Sequence, residues 1–502
     1  MTRIEVESAC RGVPWRSLAI VFGFAWVLRT FVALHWPSLH HPDELFQALE
    51  QAHRLVFGTG LVPWEFRDGA RSWLLPGLLG GALWLGETFA PGTDAYRVVA
   101  VGGVAALSAS TVVVAWHWAR PYGLGVAAIV VTALATWPDL VYFGARPFGE
   151  VVAAAFLFAG ACLCSGRSAS ARRWPWLPGV VLGCAVAFRF HLAPAALVAA
   201  AWHCRLEWRS RWWPLCLGGI APLCVLGLVD WATWGVPFGS VLRNFAVNIF
   251  EARSHRYGVS GATWYVHELW RHWGWALPVL GGLALVGARR EPLPLVVALV
   301  VVLVHSAVAH KEYRFVFPAL PLFVFVAALG SARLASLARP WLAARAIEPA
   351  TTVSRTVALA LTAVAWVATS ATLVVSDTMR AEWSRGRAGL VLLQQAGHEA
   401  RCGVALQGLV WAWSGGHAWL HAPLPLYELP PGADPRDQAR AFDAWLAPAG
   451  NAQPRRHGYA LRRCEPQRDG YVDEVCLWTR AASPCHPGTA VTIQQGMEAR
   501  GE

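Results

Sequence analysis

"SLAIVFGFAWVLRTFVALHWPSLHHPDELFQALEQAHRLVFGTG", residues 17–60, joins an apolar run to a cluster of ionisable side chains. As a helix rising 1.5 Å per residue, Ser17–Trp36 is long enough to cross about 30 Å of hydrocarbon. It lacks an A-x-A-like cleavage site and continues into a Pro-containing stretch, so it reads as a retained span rather than a signal peptide. His40, His41, Asp43, Glu44, Glu50 and His53 follow at once. A chain that leaves the membrane and sets carboxylates at its face invites both a fold and a chemistry.

The rest of the sequence supports the fold. Of 502 residues, 56% are hydrophobic and 15% charged, against about 25% charged in a soluble domain. Mean hydropathy is +0.40. This composition predicts an all-α polytopic membrane protein. About eleven spans are expected: roughly 17–36, 74–90, 97–118, 122–141, 148–166, 176–203, 213–234, 267–288, 292–309, 315–333 and 354–376. The sixth carries Arg189 and His191 and reads alternatively as two half-helices. Residues 1–376 form the expected membrane domain and 377–502 a small soluble domain.

The net charge of +11 is mostly arginine. In a membrane chain this points to cytoplasmic loops, not to nucleic acid. Arg3, Arg11 and Arg16, the loop "HCRLEWRSRW", the turn "ARRE", and Arg333, Arg339 and Arg345 all fall on one side of the span order. The loop "GRSASARRW" (166–174) falls on the other, which a re-entrant segment or a different count between 120 and 205 would repair. Residues 37–73, 235–266, 310–314 and the tail then face away from the cytoplasm. Cys402, Cys464, Cys476 and Cys485 lie in that tail and allow two disulfides in any of three pairings.

Pro42 suits a first helical turn, where Asp43 and Glu44 are favourable. Leu45, Ala48, Leu49 and Ala52 then make an apolar stripe, so "PDELFQALEQAH" predicts an amphipathic helix against the membrane surface. Glu50 and Arg54, four apart, read as a local ion pair. Arg67 and Arg71 either anchor the second span or hold an anionic headgroup. Arg146 and Glu150 stand four apart at a helix start. Arg189 and His191 within a span call for a partner or a ligand. His310, Lys311 and Arg314 beside Glu312 suit a phosphate-bearing ligand or a solvated loop.

"HHPDELFQALEQAHRLVFGTG" with the following "WEF" and "RS" resembles the first exported loop of the glycosyltransferase family 22 mannosyltransferases. "NIFEARSHRYGVSGATWYVHELW" (248–270) resembles the family's Tyr-Gly and Trp-Tyr stretch, and "HKEYRFVFPALPL" (310–322) its His-Lys-Glu-x-Arg-Phe signature. The resemblance implies a GT-C fold and transfer of mannose from a polyprenol-phosphate mannose to a glycan or glycolipid acceptor. It makes Asp43 the catalytic base and Glu44 its neighbour in the family's acidic pair. Candidate substrate-binding residues are His41, Arg71, Arg146, Glu150, Arg189, Tyr257, Trp264, His310, Lys311, Glu312 and Arg314. The chain departs from the family in "GATWY" and "RPFGE".

Because Arg and Lys can offset the leaving phosphate, no metal or other cofactor is expected. The resemblance implies β-linked donors and α-linked products, which fit inversion by single displacement. Another polyprenol-linked sugar, a transporter or flippase, and a purely structural membrane protein are the alternatives. The expected partners are the lipid-linked donor, the acceptor and membrane lipids. The expected setting is a bacterial cytoplasmic membrane with an extracytoplasmic site, or the endoplasmic reticulum in a eukaryote.

Overall fold

The computed structural model describes residues 15–343, 353–432, 434–436, 438–467, 472–481, 485–486 and 490–501. Arg3, Arg11 and Arg345, used above to orient the chain, lie outside them. The chain divides into two compact units. One comprises Met1–Phe31, Val101–Val229 and Ala246–Ser376; the other comprises Val32–Ala100, Asp230–Phe245 and Asp377–Glu502.

Among the described residues up to 376, the long apolar runs are helical, as a chain without water to satisfy its backbone must be. The count of crossings differs from the expected eleven. Among the described residues, five helices are long and apolar enough to cross a membrane: Trp15–His35, Ala95–Tyr122, Trp208–Trp234, Tyr313–Leu337 and Thr356–Val374. Shorter apolar helices include Leu124–Thr136, Gly149–Cys164, Ala276–Ala288 and Leu293–Ser306. At 1.5 Å per residue, none of these four reaches the full hydrocarbon thickness alone. The sixth expected span is indeed broken into Leu177–Phe188 and Ala193–Cys204, with Arg189 extended at the break.

Small residues let the helices of the first unit touch backbone to backbone. A Cβ at Gly330 would stand 1.9 Å from the Leu283 carbonyl oxygen, and one at Gly287 would stand 2.0 Å from that of Val326. Helix Ala276–Ala288 therefore lies against helix Leu320–Ala343 along a pair of glycines. Arg29 is fully buried and donates to the carbonyls of Ala25 (3.0 Å) and Leu134 (2.9 Å). An intramembrane arginine is kept by such acceptors.

The second unit holds the opening stretch and the tail. A π-helical turn, Leu45–Leu49, runs into the helix Glu50–Phe57, which Gly58 ends in the left-handed conformation at φ 78°. The expected surface helix is instead an interior one. Leu45, Phe46, Ala48 and Leu49 are buried, and so are Glu50, Gln51, Ala52 and His53 on the polar side. Gln51 Nε2 satisfies the carbonyls of Phe46 and Leu61, and His53 Nδ1 bonds that of Thr59, so the polar face closes on the protein itself.

Among the described residues, the tail adds a mixed sheet to an otherwise helical chain. Strands β1 (Val404–Gln407), β2 (Leu426–Leu429), β3 (Ala444–Pro448), β4 (Ala460–Pro466) and β5 (Glu474–Thr479) are ordered β2-β1-β3-β5-β4. β1 runs parallel to β2 and β3, while β5 is antiparallel to β3 and β4. Phe442, Trp445, Tyr459 and Trp478 fill its core. Two disulfides, Cys402–Cys485 and Cys464–Cys476, select one of the three pairings open to the sequence.

Candidate active site

Asp43 stands at the head of the buried helix because Pro42 starts the turn: the amides of Leu45 and Phe46 both donate to the Pro42 carbonyl, at 3.0 and 2.9 Å. The two acids of the pair then part company. Glu44 is buried, and its Oε1 accepts the His40 amide at 2.6 Å, closing the loop that delivers Asp43. The Asp43 side chain keeps 18% exposure, so its carboxylate faces accessible space. His41 Nδ1 accepts the Asp43 amide at 3.2 Å and lies 3.3 Å from Asp43 Oδ1. The Arg71 guanidinium approaches Oδ2 from the other side, at 4.0 Å.

Arg71 is held by its backbone. Trp234 Nε1 donates to the Arg71 carbonyl at 3.0 Å, and Asn244 Nδ2 donates to that of Ala70 at 3.2 Å. Ser240 donates through its amide and hydroxyl to buried Asp230 Oδ2, which fixes the segment carrying Asn244. The Arg71 Nε is buried and has no hydrogen-bond acceptor among the described residues. Beside this group lies Glu65, which accepts from Gln47 Nε2 at 2.8 Å. Burial and then the charge of Asp43 push the Glu65 carboxyl up to about 7, with Arg71 opposing. Sequence reasoning passed over Glu65, although "WEF" stands in the quoted motif.

The expected Glu50–Arg54 pair gives way to other partners. Glu50 accepts the amides of Leu61 (2.8 Å), His417 (2.9 Å) and Ala418 (2.8 Å), with His417 Nδ1 3.4 Å away. Arg54 bonds Gln51 Oε1 instead and lies over the Trp73 ring. A carboxylate offered three backbone donors and an imidazole outbids a side chain on its own helix.

The other unit carries a second charged group. Glu150, in the first turn of Gly149–Cys164, accepts from Arg189 at 2.5 Å and Arg314 at 3.0 Å through the same Oε1. Arg314 also donates through Nε to Glu312 at 2.6 Å and lies between the Phe148 and Phe315 rings. Arg146, which the sequence set beside Glu150, stacks on Tyr142 with its guanidinium carbon 3.9 Å from the ring centre.

His310 bonds two acceptors, the Gly258 carbonyl and Glu312 Oε1, each at 2.9 Å. Two acceptors require both ring nitrogens to donate, as only imidazolium can. Burial lowers its pKa, but the bonds to Glu312 and Gly258 outweigh this and raise it. Lys311 Nζ donates to the carbonyls of Ser260 (3.0 Å) and Val308. Tyr257 is exposed with its ring 6.3 Å from that of His310. Trp264 opens helix Trp264–Trp273 and packs edge-on against Tyr265.

Thus the structure gathers His41, Asp43 and Arg71 in one unit, and Glu150, Arg189, His310, Glu312 and Arg314 in the other. It sets Glu44 and Lys311 to holding backbone.

Among known proteins, GPI mannosyltransferase 3 of Yarrowia lipolytica is 26% identical over 377 residues, covering 68% of this chain and 67% of that one. GPI mannosyltransferase 3 of Drosophila melanogaster is 27% identical over 315 residues, covering 57% and 51%. The match thus spans about two thirds of the first relative's length and about half of the second's. The crystal structure of ArnT from Cupriavidus metallidurans bound to undecaprenyl phosphate superposes with a TM-score of 0.58 at 14% identity, over 94% of this chain and 99% of that one. That likeness shows the fold, which is GT-C-like. Residues 20–382 match the Alg9-like mannosyltransferase family. The protein is an integral multi-pass membrane glycosyltransferase, and the chain belongs to the Alg9-like mannosyltransferase family.

Proposed function

We propose that the protein moves a mannosyl residue from a polyprenol-phosphate mannose to a glycan or glycolipid acceptor, with inversion, at the extracytoplasmic face of its membrane. Asp43 takes the acceptor's hydroxyl proton. The observation that carries this is the contrast within the acidic pair: Glu44 is engaged by backbone, whereas Asp43 keeps an accessible carboxylate flanked by His41 and Arg71. A base must reach its proton, and Asp is ionised at neutral pH without tuning.

The leaving phosphate needs its charge offset. Arg189, Arg314 and the imidazolium of His310 supply three cations to two carboxylates, Glu150 and Glu312, and the excess of one suits an anion. Glu150 and Glu312 orient these cations. Arg146, Tyr257 and Trp264 flank the substrate, and Lys311 serves by fixing the loop through Ser260 and Val308. The soluble domain is 377–502, and the shorter helices, joined end to end, complete about eleven crossings. Alanine, arginine and tryptophan content supports a bacterial cytoplasmic membrane, whereas the relatives named above are eukaryotic.

The names of those relatives support mannose. Purified protein in lipid, offered synthetic polyprenyl-phosphate mannose or the glucose, galactose or arabinose counterparts, tests the choice. Transfer of mannose is expected. Transfer of another sugar alone replaces the donor, and lipid translocation without transfer from any donor overturns the reading.

A further inference from the structure

Asp139 is a buried acid outside the charged groups around Asp43 and Glu150. Trp137 is non-helical at ψ 128° and Pro138 then opens the helix Pro138–Phe143, so Asp139 falls in a first turn, where a carboxylate is favourable. It is 2% exposed, and each of its oxygens has its own donor. Trp273 Nε1 donates to Oδ2 at 2.7 Å, and the Tyr313 hydroxyl donates to Oδ1 at 2.8 Å. Both donors are themselves buried.

The two donors come from separate parts of the chain. Trp273 ends the helix that Trp264 begins, and Tyr313 stands between Glu312 and Arg314. One carboxylate thus joins both segments. The Tyr313 ring is also held by its face: His272 stacks on it at 4.2 Å with 6° between planes, while His272 Nδ1 bonds the Glu268 carbonyl at 2.8 Å. Arg314 Nε donates to Glu312 at 2.6 Å across Tyr313, so a backbone shift at Tyr313 moves both charges. The stretch that carries Asp139 carries two further contacts of Arg314. Its guanidinium lies 5.0 Å from the Phe148 ring centre, and Nη1 donates to Glu150 at 3.0 Å.

We propose that Asp139 is a positioning residue for glycosyl transfer, holding through the Tyr313 hydroxyl the backbone from which Glu312 and Arg314 serve the donor's leaving phosphate. The inference rests on that pair acting at the phosphate. Asp139 acts without touching substrate. A misplacement of about 1 Å in such a group can cost about 10²-fold in rate. The cost falls on the phosphate, which Arg314 meets as a charge-assisted donor both in the bound donor and as the sugar–phosphate electron pair leaves on it.

The test is equilibrium binding of radiolabelled polyprenyl phosphate to the full chain in lipid. Stoichiometry reads the folded fraction, and Kd reads the placement of the cations. Tyr313→Phe and Asp139→Ala should each raise Kd by about tenfold at unchanged stoichiometry, the scale of one buried hydrogen bond. The double variant should bind as Asp139→Ala does, because both remove one shared bond. An unchanged Kd in Tyr313→Phe, or additive effects in the double variant, overturns the proposal and leaves Asp139 a purely structural residue. Should Asp139→Ala fail to fold, Tyr313→Phe, which loses a single oxygen, decides alone. Arg314→Gln separates the two readings. A raised Kd there with an unchanged Kd in Tyr313→Phe removes only the role of Asp139; an unchanged Kd in Arg314→Gln removes the phosphate assignment itself, and the proposal with it.

Discussion

Glu50 Oε1 accepts the main-chain N–H of His417 at 2.9 Å across 367 residues of sequence. With the Leu61 and Ala418 amides, this carboxylate ties the helix behind Asp43 to the tail. Gly416 permits the approach. A Cβ there would stand 2.7 Å from both Glu50 oxygens, and its φ of +57° already favours glycine. Replacing Glu50 by Gln leaves buried donors short of an acceptor and should cost roughly 3 kcal/mol. A fall in the thermal midpoint of the protein in detergent would register it. An unchanged midpoint would mean that the tail docks by other means.

The same pair makes stability depend on pH at both ends. Burial raises the Glu50 pKa, but the bond and charge of His417 outweigh it and leave it lowered. Burial lowers that of His417, but Glu50 outweighs it and leaves it raised. The depressed carboxylate contributes fully above its unfolded pKa, and this is lost as pH falls through its folded value. The raised imidazole contributes fully below its unfolded pKa, and this is lost as pH rises through its folded value. The pair thus contributes fully between the two unfolded values and loses that contribution as pH moves outward through the folded ones. His417→Gln should flatten the alkaline decline in thermal midpoint, as a pH series on both proteins would reveal.

Much of this was legible in advance, for physical reasons that differ from place to place. Hydrophobic runs fixed the helices, and the ionisable pair Arg189 and His191 marked the break between Leu177–Phe188 and Ala193–Cys204. The length of a crossing was less legible, because a run such as 267–288 contains a turn at Gly274 that hydropathy does not register. Glu50 was misread because Arg54 is near in sequence whereas His417 is not. The sheet was missed because strands as short as Val404–Gln407 carry no alternation when every residue is buried. Asp43 was singled out by motif. Glu65 was not singled out, since its bond from Gln47, 18 residues away, forms only in the fold.

The disulfides give a third expectation. Cys402–Cys485 closes 83 residues and Cys464–Cys476 closes 12. By chain entropy, the longer loop is worth about 4.5 kcal/mol and the shorter about 3 kcal/mol. Cys402→Ser with Cys485→Ser should therefore lower the denaturation midpoint more than Cys464→Ser with Cys476→Ser. The reverse order would show that the neighbouring bonds from Asp443 to the Cys402 and Gly403 amides already hold that end.

Helix packing supplies a fourth. Gly330→Ala places a methyl 1.9 Å from the Leu283 carbonyl oxygen, where backbone must move. Gly81→Ala meets nothing within 4 Å and serves as its control. The first should reduce the yield of monodisperse protein in detergent and the second should leave it unchanged. Equal yields would contradict the close approach of the two helices.

The central claim is that Asp43 removes the acceptor proton. Asp43→Asn keeps the size of the side chain and its contacts with His41 and Arg71 within reach while abolishing its basicity. The direct measurement is single-turnover transfer from synthetic polyprenyl-phosphate mannose by the folded variant in lipid, beside wild type, with donor affinity measured on the same preparations. The account predicts a loss of about 10²-fold or more in transfer, the scale of general-base catalysis, with donor affinity largely kept. Near-normal transfer by Asp43→Asn would contradict it.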